Sequence, residues 1–345
     1  MERLISTADE QALRSIIDSA HNVVVTCHMG PDGDAIGSVL ATTLWLTRLG
    51  KNVTPIVPDA YPDFLKWLPG ADRIRVCLYH EKKVRPIIDE ADLIIYQDFN
   101  EESRMDSLAR LVAHNRKARR LMFDHHLNPL AHCDLLFSFP ELSATCEVLF
   151  RILRDLGEYA SMTTDEATCL YCGLMTDTGA FTYNSNRPEV FNIIGELIAK
   201  GIDKDRIYRN VFHSWSVDRF RLMGYLLYVN WHYIDELHAS IITLDAEERK
   251  QFGYQKGDTE GLVNMPLQIR GTRLSIFLRE DTEKAGRINV SLRSIDDIPC
   301  NIIAQECFNG GGHRNASGGH LLMSMPEALA YTRHALQKYT PLLKD

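Results

Sequence analysis

Three short apolar runs in the first half of the chain each stop at ligand-type side chains, and this coincidence constrains the fold more than any other feature. Residues 23–27 run into His28-Met29-Gly30-Pro31-Asp32-Gly33-Asp34, residues 93–97 into Asp98, and residues 121–123 into Asp124-His125-His126. Each run has the length and apolarity of a buried strand. Helical spacing of apolar residues separates them, over residues 39–46 with Gly50 as the stop, over 81–91 and over 105–115. A further strand is expected over 53–57, and a first helix is announced by the capping-box spacing of Thr7-Ala8-Asp9-Glu10. Strands alternating with helices predict an α/β fold with a mainly parallel, doubly wound sheet, whose ligand groups gather at the carboxyl ends of its strands.

The turn at His28 to Asp34 reads as half of a metal site. Gly30, Pro31 and Gly33 bend the chain so that His28, Asp32 and Asp34 converge. A solvated turn in which Asp32 or Asp34 caps the next helix would account for one carboxylate. It does not account for two beside an imidazole. Helices are expected over 143–156 and 166–176, the second introduced by Thr163-Thr164-Asp165-Glu166, and Asp177 at its end can return to the rim of the sheet.

With 345 residues the chain is expected to form two domains. Its formal charge of −8 argues against wholesale coating of nucleic acid, which wants a basic surface. The basic run 114–120 reads as a solvated helix end. No apolar run is long enough to span a bilayer and the first residues do not resemble a secretory signal, so a cytoplasmic protein without membrane partners is expected. The eight cysteines are scattered and should be reduced; Cys169 and Cys172, a lone C-x-x-C, read as core residues.

Residues 188–200 and 207–231 read as helical connector and packing segments. Beyond residue 236 the apolar runs 241–244, 274–278 and 288–292 suggest a second, smaller α+β domain. The expected partition is 1–186, 187–235 and 236–345. The most unusual stretch of the second domain is Asn309-Gly310-Gly311-Gly312-His313-Arg314-Asn315-Ala316-Ser317-Gly318-Gly319, where bare backbone N–H groups beside His313 and Ser317 suit a phosphate. Arg293, at the end of a strand, is a candidate for the same phosphate.

These motifs, in this order, resemble the DHH phosphoesterase superfamily with its DHH-associated C-terminal domain, and the resemblance covers essentially the whole chain. Within it the chain looks like the stand-alone bacterial oligoribonuclease/pAp-phosphatase branch, the nanoRNases. It departs from the pattern after Asp98, where Phe99-Asn100 replace the small hydroxyl or acidic residues of many relatives.

The resemblance implies two divalent cations, manganese first and magnesium or cobalt as alternatives. His28 and Asp32 would hold one, Asp34, His125 and Asp177 the other, and Asp98 would bridge. It assigns His126 to the phosphate or the leaving oxygen and Asp124 to the support of these groups. Arg293, Gly310, Gly311, Gly312, His313 and Ser317 would grip the substrate, across a cleft between the domains. The implied reaction is hydrolysis of short single-stranded RNA to 5′-mononucleotides, and of pAp to AMP, by a protein for which a homodimer is compatible. Linear or cyclic dinucleotide hydrolysis is the first alternative, pyrophosphatase or exopolyphosphatase activity the next, and a non-catalytic nucleotide-binding regulator the last. A Rossmann dehydrogenase is disfavoured, because the first strand leads into His and Asp instead of Gly-x-Gly.

Overall fold

The computed structural model describes residues 2–129, 131–213, 215–255, 257–281 and 284–344. The chain divides into two compact units, residues 1–214 and 215–345. Residues 188–212 thus belong to the first unit, whereas the helix that follows opens the second.

The first unit runs α1 (Thr7–Ser19), β1 (Asn22–Cys27), α2 (Gly33–Arg48), β2 (Asn52–Val57), β3 (Arg75–Val76), α3 (Glu81–Glu90), β4 (Leu93–Gln97), α4 (Ser107–His114), β5 (Arg119–Asp124), β6 (Leu135–Ser138), α5 (Thr145–Asp155), α6 (Thr164–Asp177), α7 (Pro188–Ala199) and α8 (Lys204–Phe212). Its strands are parallel, in the order β3-β2-β1-β4-β5-β6. Alternate residues serve opposite faces: Val23, Val25, Leu93, Ile95, Leu121 and Phe123 join the core beneath α1, α2, α5 and α6, while Val24, Ile94, Tyr96 and Met122 join the core beneath α3 and α4. With both faces covered, each strand reads as a continuous apolar run rather than an alternating one. The sheet grows outward in opposite directions from β1 and β4, so the connections leaving these neighbours diverge and open a crevice at their carboxyl ends.

Several boundaries differ from expectation. The cap of α1 is Ser6, whose hydroxyl accepts the Asp9 N–H, one residue earlier than the Thr7 spacing suggests; Glu10 is instead engaged by Arg3 and Arg14. The capping box of α6 forms as expected between Thr163 and Glu166. β3 and β6 went unread because they are edge strands, one of two residues and the other leaving Leu136 40% exposed. Cys169 and Cys172 are buried free thiols.

α2 and α6 approach unusually closely. A Cβ at Gly37 would lie 2.6 Å from the Cys169 carbonyl, and one at Gly173 would lie 2.3 Å from Cys146 Sγ and 2.8 Å from Asp34 Oδ1. Glycine at these positions lets Asp34 and Asp177, from two helices, reach one rim.

The second unit contains α9 (Val217–Tyr228), β7 (Trp231–Ile234), β8 (Ala239–Leu244), α10 (Ala246–Gln251), β9 (Leu274–Glu280), β10 (Arg287–Ser294), α11 (Cys300–Cys307), β11 (Gly311–His313), β12 (Ala316–Leu322), α12 (Met325–Gln337) and α13 (Thr340–Lys344). Trp231 therefore starts a strand instead of ending a helix. The sheet order is β11-β12-β10-β9-β8-β7, antiparallel except for the β8–β9 pair. α11 and α12 pack on one face of the sheet, and α9 covers the β8–β9 part of the other.

Candidate metal centre

The turn after β1 puts Asp32 at the N-cap of α2, where its Oδ1 accepts the N–H groups of Asp34 and Ala35 at 3.0 and 3.1 Å. The capping role and the ligand role are compatible, because the other oxygen, Oδ2, stands 4.0 Å from His28 Nε2. Asp98 follows β4 directly with φ 66°, a left-handed conformation that Asp tolerates better than bulky residues. Its carboxylate has one oxygen toward each imidazole: Oδ2 is 3.5 Å from His28 Nε2, and Oδ1 is 3.4 Å from His125 Nε2. His125 Nε2 also lies 3.3 Å from Asp177 Oδ2 and 3.9 Å from Asp34 Oδ2. Two donor groups result, His28–Asp32–Asp98 and Asp34–His125–Asp177, with Asp98 reaching into both.

The donor set fits divalent cations. His28 Nδ1 is 2.9 Å from the Met29 carbonyl and His125 Nδ1 is 3.2 Å from the Leu142 carbonyl. Carbonyls only accept, so Nδ1 carries the proton in each neutral ring and Nε2, the atom facing the carboxylates, is left to coordinate. Carboxylate and imidazole together suit manganese, magnesium or cobalt.

Without a cation the charges strain one another. Burial pushes Asp34 up to about 7, helped by the Asp98 charge. Burial likewise drives Asp177 well above the usual carboxylate range, with Asp34, Asp32 and Asp98 adding to it. Burial would also depress His28, but Asp98 and Asp32 outweigh it and hold the imidazole at about 9. For Asp98 burial is overcome in the other direction: hydrogen bonds from His125 and His28 keep it well below the carboxylate range. Asp98 therefore stays ionised, and it is the carboxylate at the centre.

The third strand end orients a further imidazole. His126 Nδ1 is 2.8 Å from Oδ1 of the buried Asp124, which places the proton of the neutral ring on Nδ1 and makes Nε2 its acceptor nitrogen. Among the described residues the buried Asp124 Oδ2 has no hydrogen-bond partner, and Oδ1 is the oxygen that serves the ring.

Several contributors had no signal in the sequence. The first amides of α5 clamp Asp34, Thr145 N–H to Oδ2 at 2.6 Å and Cys146 N–H to Oδ1 at 2.9 Å. The Thr145 hydroxyl donates to Asp98 Oδ1 at 2.9 Å. Behind them Glu147, fully buried, receives Arg187 at 2.6 Å and the Ser143 N–H at 2.9 Å, with Arg151 one turn on at 3.9 Å. The departure at Phe99-Asn100 also has a structural reason. Phe99 is buried against Tyr96, with ring centroids 5.2 Å apart, and Asn100 Nδ2 donates to the Leu127 carbonyl at 2.8 Å, tying down the loop after His126.

In the second unit the glycine-rich stretch is an edge hairpin rather than a loop. Much of its glycine is required by crowding: a Cβ at Gly310 would be 1.9 Å from the Gly318 carbonyl, one at Gly319 would be 2.3 Å from the Phe308 carbonyl, and Gly312 has φ 139°. Gly311 and Gly318, paired across the ladder, meet nothing closer than 3.5 Å. His313 and Arg293 both stand opposite Ala316, so they share one face of the sheet across a small residue. Ser317 is not with them. It lies opposite Leu292, on the core face, and its hydroxyl donates to the His313 carbonyl at 2.7 Å, a tie within the hairpin.

Residues 22–174 match the DHH family, N-terminal domain, and residues 237–338 match the DHHA1 domain. The chain is 29% identical over 303 residues to the bifunctional oligoribonuclease and PAP phosphatase NrnA of Thermus thermophilus, covering 87% of this chain and 84% of that protein. The Bacillus subtilis protein of the same name is 24% identical over 301 residues, covering 87% and 89%. An exopolyphosphatase-related protein from Bacteroides fragilis, solved by crystallography, superposes with TM-score 0.93 at 45% identity and 100% coverage of both chains.

Proposed function

The chain belongs to the DHH family, its DHH domain followed by a DHHA1 domain, and from that membership we propose that it hydrolyses short single-stranded oligoribonucleotides to 5′-mononucleotides and pAp to AMP. The NrnA relatives, alike along most of both chains, support the substrate class. The observation that carries the reading is the carboxylate of Asp98, with one oxygen toward His28 and the other toward His125. In this reading His28, Asp32 and Asp98 hold one divalent cation and Asp34, His125 and Asp177 a second, shared through Asp98, with manganese the first choice. When bound, such a pair lowers the pKa of a water toward neutrality and draws charge from the phosphate oxygens.

The chain's own groups supply the rest. Asp124 fixes the ring of His126, whose Nε2 contacts the phosphate or, protonated, gives a proton to the leaving oxygen. Arg293 and His313, on one sheet face with the bare backbone of Gly311 and Gly318 beside them, hold the terminal phosphate or nucleotide. Among the described residues no helix is long and apolar enough to cross a membrane, and the reading locates the protein in the cytoplasm with its substrates.

The test is a Mn²⁺-dependent digestion of 5′-labelled RNA dimers to pentamers beside pAp, a cyclic dinucleotide and pyrophosphate, with Asp98→Ala as blank. Short RNA and pAp should be consumed and the blank should be silent. Turnover of dinucleotides alone would move the protein to signalling hydrolysis, and preference for pyrophosphate would move it to inorganic substrates. Substantial activity in the blank would remove Asp98 from its bridging role.

A further inference from the structure

The first unit has a second concavity that none of the groups above use. It is a pocket of about 470 Å³, within the size range of small-ligand sites, walled by Tyr171 and Met175 of α6, Phe181 just past it, and Tyr208, Arg209 and His213 at α8. Tyr171 and Met175 are buried and belong to the core, so packing explains the floor. Phe181 also packs against that core and Phe212 lies 4.9 Å from the Tyr208 ring, so what packing leaves open is the outer side of Tyr208, Arg209 and His213. Tyr208 is 39% exposed, its ring 5.2 Å from His213 in an edge-on arrangement, and Phe181 stands opposite, 5.7 Å from Tyr171. Of the two strong cations that line the pocket, Lys204 pairs with Asp205 at 2.6 Å, while Arg209 adds its charge beside the aromatic rings. Flat apolar faces next to a guanidinium and an imidazole suit a nucleobase and its phosphate.

The backbone joining this pocket to Asp177 is independently unusual. Gly179, Ala180 and Phe181 take φ values of 52°, 57° and 66°, three successive residues in the left-handed region that bulky L side chains avoid. Hydrogen bonds hold the turn: Ala180 N–H to the Met175 carbonyl at 2.8 Å, Phe181 N–H to Thr178 Oγ1 at 3.1 Å, and Thr182 N–H to the Thr178 carbonyl at 2.9 Å. Had α6 continued, residue 181 would stack one turn above Asp177 on the same helix face. The left-handed turn instead brings the Phe181 ring against Tyr171 as a wall of the pocket, and Asp177 keeps 28% of its side chain accessible. Strain of this kind persists where surrounding contacts impose it, and it clusters at ligand clamps.

We propose that this pocket is a nucleotide subsite, taking a base and its phosphate from the part of a single strand that lies beyond the phosphate held at the Asp98–Asp177 rim. The identity of the strand rests on the phosphoesterase reading above. Tyr208 is the stacking platform and Arg209 the phosphate partner.

The experiment measures binding apart from turnover. Fluorescence anisotropy with a labelled phosphorothioate pentauridylate in Mn²⁺ gives affinities for wild type, Tyr208→Ala, Tyr208→Phe and Arg209→Ala, and turnover of an RNA pentamer and of bis(p-nitrophenyl) phosphate is followed in parallel. Tyr208→Ala should weaken pentamer binding about 5- to 20-fold, as loss of one stacked base does. Tyr208→Phe should restore it, Arg209→Ala should weaken it with a reduced salt dependence, and the small diester should be turned over as in wild type. Pentamer affinity unchanged in both alanine variants overturns the subsite, and if Asp98→Ala is inactive the phosphoesterase reading stands without it. Tyr208-dependent binding in a protein that hydrolyses no phosphoester keeps the subsite and overturns the reading. A wild-type protein that does not bind the pentamer overturns the subsite whatever its turnover.

Discussion

Thr145 shows how much of this site is made by groups that carry no signature of their own. Its hydroxyl steadies Asp98 while its amide and that of Cys146 clamp Asp34. Thr145→Val keeps the shape and the amide and removes only the hydroxyl, so it should weaken Mn²⁺ binding about 10- to 100-fold, the scale of a lost buried hydrogen bond to a charged group, with the fold retained by circular dichroism. Titration calorimetry checks this. The clustering of His28, Asp98 and His125 was legible because His and Asp just past apolar strands have few other reasons to be there, whereas Asp177, at the end of α6, was legible only by its place in the motif order. The Leu142 carbonyl and the amides of α5 were not, since backbone contributes regardless of residue type.

The crowded charges also set a pH dependence. Asp34 at about 7 and His28 at about 9 both bind protons more tightly in the fold than at their ordinary values of 3.8 and 6.5. Their stabilisation is complete below those ordinary values and is lost as pH rises, through about 7 for Asp34 and about 9 for His28. The contribution of Asp98 has the opposite sign but lies below pH 4, so it is constant above that. Melting in EDTA should therefore move to lower temperature from pH 5 to pH 9. Mn²⁺ displaces those same protons, so the difference between Mn²⁺ and EDTA melts should widen with pH. A difference that is flat across this range would mean that Asp34 and His28 do not release protons to a cation.

At the scale of elements, the closeness of α2 and α6 positions two ligands, and Gly173 sets it. Gly173→Ala drives a methyl toward Cys146 Sγ and the Asp34 carboxylate. The expected cost is about 1–3 kcal/mol in urea unfolding, as for other overpacked cores, accompanied by weaker Mn²⁺ binding because Asp34 must shift. Loss of stability with unchanged metal affinity would show that the helix contact is structural only. Long elements were legible because their apolar period persists over several turns or a whole strand. β3 is two residues long, and β6 exposes Leu136 at the sheet edge, so neither builds a pattern. The glycine-rich hairpin is ambiguous for another reason: crowding at Gly310 and Gly319 leaves the same mark on a sequence as ligand contact does.

At the scale of the molecule, the core clusters stay within their units, two in the first and two in the second. The six expected cation ligands, His28, Asp32, Asp34, Asp98, His125 and Asp177, lie in the first unit, so calorimetry of the full chain should show Mn²⁺ raising one unfolding transition, by about 2.7 kcal/mol at a hundred times Kd, and leaving the other in place. The order of the ligands along the chain has a consequence for biosynthesis. On a chain emerging from the ribosome, His28, Asp32 and Asp98 come together once β4 has paired beside β1, whereas Asp34 and His125 must wait for α6 to bring Asp177. A nascent chain therefore acquires its two half-sites in succession, and the second is completed only as the last of these helices docks.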